Sequence, residues 1–200
     1  MNENKIPNKF SGKDCIFCRE ALLDIGEKSE YGAVVIFKIG KSKENGWFAT
    51  LSPKTAGNPD KDFSIQLIPF KHLRNFSEIN NTELSKNYGI AFGKISYAIS
   101  NILEEDFENG EPKNNEWGSK NAIGTYGKCK YVDEHIHVKL FPYRGIIGQP
   151  FTLDSTYEKK EKFIDSETNE EYVKMKPIKK VFIPKERFEY LKSRFIELLN

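Results

Sequence analysis

Cysteine is scarce in this chain, and so is any excess of charge of one sign. Only three of the 200 residues are cysteines, and two of these, Cys15 and Cys18, are too close together to staple distant parts of a fold. This argues against a disulfide framework and fits a reducing compartment. The 31 basic residues nearly balance the 29 acidic ones. Because a general nucleic-acid binder carries a one-sided basic surface, we expect no nucleic-acid partner.

Long hydrophobic runs are also lacking. No apolar stretch approaches the roughly 20 residues that span a bilayer, and the polar segment 1–14 does not resemble a secretion signal. We therefore expect a cytoplasmic protein with no membrane partner. The hydrophobic residues, 38% of the chain, are enough for one packed core.

Apolar periodicity predicts an α+β fold. A short helix is expected over 16–23, and β-branched or aromatic stretches predict strands over 32–39, 46–51 and 63–68. After Asn81, which is a good N-cap, apolar residues recur at the spacing of one long helix. The pattern therefore predicts a sheet with one long helix packed on it.

The C-terminal part combines a charged segment with a second helix. Residues 154–180 are highly charged and favour a protruding hairpin, and an amphipathic helix begins near Pro184. We expect three parts along the chain. These are a flexible N-terminus over 1–14, a domain over 15–150, and over 151–200 a charged arm and a terminal helix packed on the same domain.

Residues 134–141 alternate strictly between polar and apolar side chains. A strand with this period places His135, His137 and Lys139 together on one face. A neutral imidazole nitrogen can attack phosphorus, and the adduct that it forms leaves easily, so paired histidines suit nucleotidyl transfer. The alternative, with about equal weight, is a pair of satisfied polar residues on a solvated sheet face.

Cys15 and Cys18 have the spacing of two thiolate ligands of one zinc ion. Only one further cysteine remains, so two of the three histidines of the chain would have to complete a tetrahedral site. Composition alone favours a structural or redox role over zinc, by roughly two to one. A thioredoxin-like role fits poorly, because the motif follows a polar segment rather than a strand.

Three motifs in sequence order resemble the histidine-triad superfamily. They are Cys-Ile-Phe-Cys at 15–18, Leu-Ile-Pro-Phe-Lys-His-Leu at 67–73 and His-Ile-His-Val-Lys-Leu-Phe-Pro at 135–142. Each is weak alone, but jointly they are specific, and the resemblance covers roughly residues 15 to 143. It implies an antiparallel sheet of about five strands with one long helix and a C-terminal helix, assembled as a homodimer.

The resemblance also assigns the site residues. In zinc-containing members of the family, the positions of Cys15, Cys18, His72 and His135 hold a structural zinc. The position of His137 is the nucleophile that forms a covalent intermediate at an α-phosphorus. The resemblance therefore implies a nucleotide hydrolase or nucleotidyltransferase whose substrate is a nucleotide or a nucleotide derivative.

Two departures from the family pattern bear on activity. Lys139 stands where the family has histidine or, in transferases, glutamine. An ammonium group with a pKa near 10.4 neutralises phosphate charge but is a poor proton donor near neutral pH, so we place Lys139 in the catalytic site as a phosphate-binding residue. A lysine that reaches solvent from the strand face is the alternative. The ribose-binding carboxylate of the family is missing from the matching stretch, 48–51.

Three further residues are candidates for substrate binding. Asn115 and Ser119 lie in a polar segment, 108–130, which we expect to be a loop with one short strand and to face the phosphates, as such loops often hold ligands. Arg144 follows the catalytic strand and can pair with phosphate oxygens. For each of the three, an ordinary surface residue is the alternative.

Two other functions stay open at this point. The first is a zinc-stabilised protein that binds nucleotide or phosphate with little or no turnover, which Lys139 and the missing carboxylate favour. The second is a factor that processes RNA or DNA ends through the lysine-rich segment 159–180. The net charge of only +2 argues against it.

Overall fold

A computed structural model of the chain describes residues 15–108, 123–128, 134–143, 157–177 and 180–200. In these ranges the helices are α1 (Ile16–Glu20), α2 (Thr82–Glu108) and α3 (Lys185–Leu199). The strands are β1 (Val34–Ile39), β2 (Trp47–Leu51), β3 (Lys54–Thr55), β4 (Ile65–Pro69), β5 (Ile123–Lys128), β6 (His137–Pro142), β7 (Tyr157–Ile164), β8 (Glu171–Pro177) and β9 (Val181–Phe182). The N-terminus that we predict to be flexible, residues 1–14, lies outside the described residues.

The main sheet has five antiparallel strands in the order β1-β2-β4-β6-β5. With α2 and α3 this confirms the predicted α+β architecture of a five-stranded antiparallel sheet, one long helix and a C-terminal helix. The short strand predicted within 108–130 is β5, and the predicted hairpin is the antiparallel pair β7 and β8. Among the described residues, no helix is long and apolar enough to cross a membrane.

One face of the sheet forms the main core. Alternate residues of four strands are buried there: Val34, Ile36, Trp47, Ala49, Leu51, Ile65, Leu67, Val138 and Leu140. They meet a stripe of α2 residues at helical spacing: Leu84, Ala91, Ile95, Ala98, Ile99 and Ile102. Burying one such aliphatic side chain stabilises the fold by roughly 1.5–3 kcal/mol, so the strand period and the helix period together fix this face as the core.

The start of α2 follows the prediction from sequence. The Asn81 side-chain oxygen accepts hydrogen bonds from the backbone N–H groups of Glu83 and Leu84 at 2.9 and 3.3 Å. These donors have no partner within the first turn of a helix, so the cap satisfies them. The Trp47 indole N–H donates to the Leu84 carbonyl at 2.9 Å and so ties the helix start to β2.

The C-terminal helix α3 completes the same core. Phe188, Leu191 and Phe195 are buried against it, and an Arg187–Asp106 ion pair at 2.7 Å joins α3 to α2. The final side chain, Asn200, donates to the carbonyl of Ile36 on β1 at 3.0 Å. The terminal helix is therefore held at the end of α2 and beside the edge strand β1.

The opposite face of the sheet is covered by the segment that carries the cysteine motif. Phe17 of α1 packs with Phe48 of β2 and Ile68 of β4 in a second buried cluster, to which Cys15 belongs. Because residues alternate across a strand, the polar residues of β6 also lie on this face. We call it the outer face, and it positions the candidate site.

Candidate functional site

Cys15 and Cys18 lie at the two ends of the first turn of α1. Cys15 is the N-cap residue in an extended conformation, and the helix begins at the next residue. Because Phe17 is buried against the outer face, this turn packs on the sheet. The two thiols therefore lie close together beside the ends of the two strands that bring the histidines.

The structure brings the four predicted metal ligands together. The ligand atoms of Cys15, Cys18, His72 and His135 all lie within 4.8 Å of one another. His72 follows the end of β4, and His135 precedes β6, which pairs with β4. The four residues thus form a potential metal site, built from segments far apart in sequence.

The spacing of these atoms fits a tetrahedral ion. The Nδ1 atom of His135 lies 3.5 Å from the Cys15 sulfur and 3.6 Å from the Cys18 sulfur, and Nδ1 of His72 lies 3.5 Å from the Cys18 sulfur. Zn–S and Zn–N bonds of about 2.3 and 2.1 Å at a tetrahedral angle put sulfur and nitrogen about 3.6 Å apart. Two sulfurs and two nitrogens are also a common structural zinc set.

A hydrogen bond orients the His135 ring for this role. Its Nε2 lies 3.0 Å from the Pro69 carbonyl oxygen. A carbonyl can only accept, so Nε2 carries the proton and Nδ1 presents its lone pair to the two sulfurs. Histidines that bind metals are commonly held in this way by a carbonyl behind the ring.

The two thiols titrate as a coupled pair. A hydrogen bond to Cys18, together with burial, raises the pKa of Cys15 to about 11. The same hydrogen bond lowers the pKa of Cys18 to about 7, with a smaller contribution from the positive charge of Lys43. Near neutral pH, the metal-free pair therefore keeps at least one proton that a bound metal ion has to displace.

His137 is buried on the outer face, next to this cluster. Its Nδ1 lies 3.4 Å from the His135 carbonyl oxygen, a long hydrogen bond in which Nδ1 donates. The lone pair is therefore on Nε2. The Phe17 ring lies edge-on to the imidazole, with 4.9 Å between ring centroids. One residue thus supplies a metal ligand through its ring and orients the next histidine through its carbonyl.

Lys139 lies two residues further along β6 on the same face. It pairs in register with Gln66 of β4 on one side and with Tyr126 of β5 on the other. Only 4% of it is exposed, so the alternative in which this lysine reaches solvent is wrong. A buried ammonium group is stabilised by an anion or by several acceptors.

A cavity of about 270 Å³ opens on the outer face. Apolar atoms come from Ile16, Phe17, Ala33 and Pro53, and polar atoms come from Glu20, Tyr31, Ser52, Lys54, Gln66 and Lys180. Phe17 lines the cavity, and its ring also contacts the His137 ring. His137 does not itself line the cavity, and Phe17 is the residue that the cavity wall and the surroundings of His137 share.

Glu20 is the residue of this site that the sequence reasoning missed. It is buried in α1, and burial raises the pKa of its carboxyl to about 7, although the neighbouring Ser29 hydroxyl and the charge of Arg19 offset part of the rise. The signal in the sequence was its spacing, since Glu20 falls one turn after Ile16 on the same helix face. A carboxylate on the apolar side of a short helix is unusual, and this could have marked Glu20 as a candidate site residue.

Three predicted substrate-binding residues, Asn115, Ser119 and Arg144, lie outside the described residues. The third cysteine, Cys129, does as well. Their roles stay predictions. The structure does bring the other six predicted residues to one region, with four in the cluster and two on β6 beside it.

Comparison with known proteins assigns no family. No protein-family model matches the sequence, and the searches of curated proteins and of solved structures returned no match. The functional argument therefore depends on the residues of this chain, their geometry and the resemblance of the three motifs.

Proposed function

We propose that this protein is a nucleotide hydrolase or nucleotidyltransferase of the histidine-triad type, with His137 as nucleophile. It acts at an α-phosphorus, with a structural zinc in the Cys15, Cys18, His72 and His135 cluster. The observation that carries the proposal is the orientation of His137. Its Nδ1 donates to the His135 carbonyl, so the nucleophilic lone pair is on Nε2, on the strand face that also carries the buried Lys139.

The chemistry follows from these groups. His137 Nε2 attacks the α-phosphorus, the bond from phosphorus to the leaving group breaks, and the leaving group departs with the electron pair. The Nδ1–H bond to the His135 carbonyl stabilises the imidazolium charge of the adduct. Water or another acceptor then attacks phosphorus, loses its proton to solvent, and releases His137. Lys139 neutralises phosphate charge in both steps.

The metal cluster acts as a positioning device in this scheme. Zinc, when bound, cross-links α1 to the ends of β4 and β6. Because His135 is a ligand, its carbonyl is also fixed, and this carbonyl holds His137. The expected role of zinc is therefore structural, with no contact to the reacting atoms.

Trapping the covalent intermediate tests the proposal. The purified protein is incubated with dinucleotides, sugar nucleotides and nucleoside phosphoramidates, quenched, and analysed by peptide mass spectrometry. A nucleotidyl adduct on His137 is the expected result. The absence of both product and adduct across the whole panel would refute the enzymatic function.

Lys139→Met should lower kcat/KM about 10²- to 10³-fold, because it removes a preorganised charge at the phosphate. Lys139→His is the informative comparison, since imidazole can protonate a leaving group near neutral pH and an ammonium group cannot. We expect Lys139→His to hydrolyse substrates with poor leaving groups faster than the intact protein. Equal rates for all three proteins would show that Lys139 does not contact the phosphate.

Transfer or slow hydrolysis is favoured over fast hydrolysis for the same reason. A lysine that neutralises charge but donates no proton leaves good leaving groups cleavable and poor ones attached. The second candidate function is a nucleotide- or phosphate-binding protein with little turnover, which is the extreme case in which no leaving group is protonated well enough to depart. It predicts that nucleotide raises the melting temperature equally in the intact protein and in His137→Ala, with indistinguishable rates for both.

We also propose a homodimer, on the basis of the motif resemblance. The outward side of α2 supports it, because Ile90 and Tyr97 are exposed there by 41% and 65% and Gly89 and Gly93 leave open space beside them. Sedimentation equilibrium should give twice the chain mass of 23.1 kDa. A monomer at micromolar concentration would contradict this assembly.

A further inference from the structure

The cavity next to Phe17 has a mixed lining of apolar and polar side chains, and the polar ones include Lys54 and Lys180 as well as Glu20. Ile16, Phe17 and Pro53 form apolar walls, and the Glu20 carboxylate lies among them. Its volume, about 270 Å³, is at the small end of ligand pockets, which hold roughly 300–1,000 Å³. Such a space suits one flat ring system better than a whole nucleotide.

Glu20 has an unmet hydrogen bond in this cavity. Only 3% of the residue is exposed, and within the described part of the chain its Oε2 atom is buried without a hydrogen-bond partner. A buried acceptor without a donor is costly, whereas an apolar side chain in its place would avoid the cost. The arrangement suits a ligand that brings its own donors.

Gln66 links this cavity to the phosphate site. It lines the cavity and pairs in register with Thr50 on β2 and Lys139 on β6. The Thr50 hydroxyl donates to Gln66 Oε1 at 3.4 Å, which leaves the amide NH2 as a donor. The cavity thus offers a carboxylate acceptor and an amide donor, together with the Lys54 and Lys180 side chains that also line it, and Gln66 pairs with the strand that carries His137 and Lys139.

We propose that Glu20 is a specificity-determining residue that accepts hydrogen bonds from the amino-bearing edge of a nucleobase. The inference rests on the proposed function, which puts the α-phosphate of the same nucleotide at His137. A flat heterocycle fits between apolar walls, and its edge meets the Glu20 carboxylate. Guanine presents two adjacent donors, a ring N–H and an amino group, and adenine presents one amino group. A base without edge donors would leave the buried carboxylate unpaired and would be rejected.

Calorimetric binding of three purine ribonucleoside monophosphates to the full chain tests this. Guanosine and adenosine monophosphates carry edge donors, and purine riboside monophosphate has the same sugar and phosphate but none. We expect purine riboside monophosphate to bind about 10- to 100-fold more weakly, the usual value of a hydrogen bond to a charged group. In Glu20→Gln this discrimination should shrink to about threefold, while inorganic phosphate binds both proteins equally.

The matched control is Glu30→Gln, an exposed carboxylate that forms a surface ion pair with Arg19. It should keep the full discrimination. Zinc content is measured for every variant, because Glu20 is close in sequence to Cys18. The inference would be overturned if Glu20→Gln still bound purine riboside monophosphate 10- to 100-fold more weakly than the other two nucleotides. It would also be overturned if binding failed only with 2′,3′-dideoxy nucleotides, since the sugar would then be the recognised group.

The two proposals fail in different ways. If the intact protein forms the His137 adduct but binds all three purines alike, base recognition by Glu20 is wrong and the enzymatic function stands. If nucleotides bind with the expected discrimination and no adduct forms, Glu20 recognises a base in a protein without turnover. If no nucleotide binds to the intact protein, the Glu20 inference is overturned.

Discussion

Cys15→Ser should lower the bound zinc from about one ion per chain to far below it and should destabilise the fold. The substitution removes one of four ligand atoms that lie within 4.8 Å of one another, and a serine hydroxyl is a much weaker zinc ligand than a thiolate. A metal that binds only the native state stabilises it by about 4 kcal/mol at a free concentration a thousandfold above Kd. Metal analysis and thermal unfolding measure the two effects.

The matched control is Cys129→Ser, because the resemblance of the motifs does not place this cysteine among the zinc ligands. It should leave the zinc content unchanged. A chelator should lower the melting temperature of the intact protein and of this control, but not that of Cys15→Ser. An intact protein that contains no metal and is unaffected by the chelator would refute the zinc proposal.

Zinc affinity should also fall as the pH falls. The hydrogen bond to Cys18 raises the pKa of Cys15 to about 11, so zinc binding at neutral pH has to displace a proton. Each displaced proton weakens the apparent affinity about tenfold for each unit by which the pH is lowered. Competition with a chelator of known affinity at several pH values measures this slope. A pH-independent affinity would mean that the thiols are not the ligands.

The sheet was predictable from sequence because its strands alternate strictly. In β6, every second residue is aliphatic and buried in the main core, so the polar residues between them had to share the other face. The same logic located α2, whose cap at Asn81 and apolar stripe are both local signals. Boundaries were less accurate, since α1 ends at Glu20 rather than at residue 23.

The features that sequence reasoning missed depend on contacts between distant segments. The strands β3 and β9 pair over only two residues each, too short for any periodicity. The burial of Lys139 was also missed, because a strand pattern alone suggests a solvated face. Gln66 did carry a signal, because it is the one polar residue in an aliphatic strand, Ile65–Pro69.

The choice of zinc ligands shows what the spacing of residues can predict and what it cannot. The spacing of Cys15 and Cys18 indicated a pair, but spacing alone could not choose among the histidines. The choice of His72 and His135 came from the resemblance, and the structure groups the same four residues. The pairing of β4 with β6 supplies the physical reason. Because the two strands are antiparallel, the segment after β4 and the segment before β6 lie at the same end of the strand pair.

His137→Ala should lower kcat about 10⁴-fold or more, the usual effect of removing a covalent nucleophile. The imidazole has its lone pair on Nε2 because Nδ1 donates to the His135 carbonyl, and alanine offers no atom that can attack phosphorus. The adduct should disappear from the mass spectrum with the activity. Single-turnover kinetics with a nucleoside phosphoramidate measure the chemical step directly.

Two further measurements separate catalysis from folding. His137 is not one of the four clustered residues, so the variant should keep its zinc, although the loss of a buried ring should lower its melting temperature. Added imidazole should restore part of the rate, because it can enter the space left by the side chain and attack phosphorus in its place. Rescue of this kind cannot come from a merely structural histidine. A variant that keeps its rate within about tenfold would exclude His137 as the nucleophile and leave the binding function as the better account.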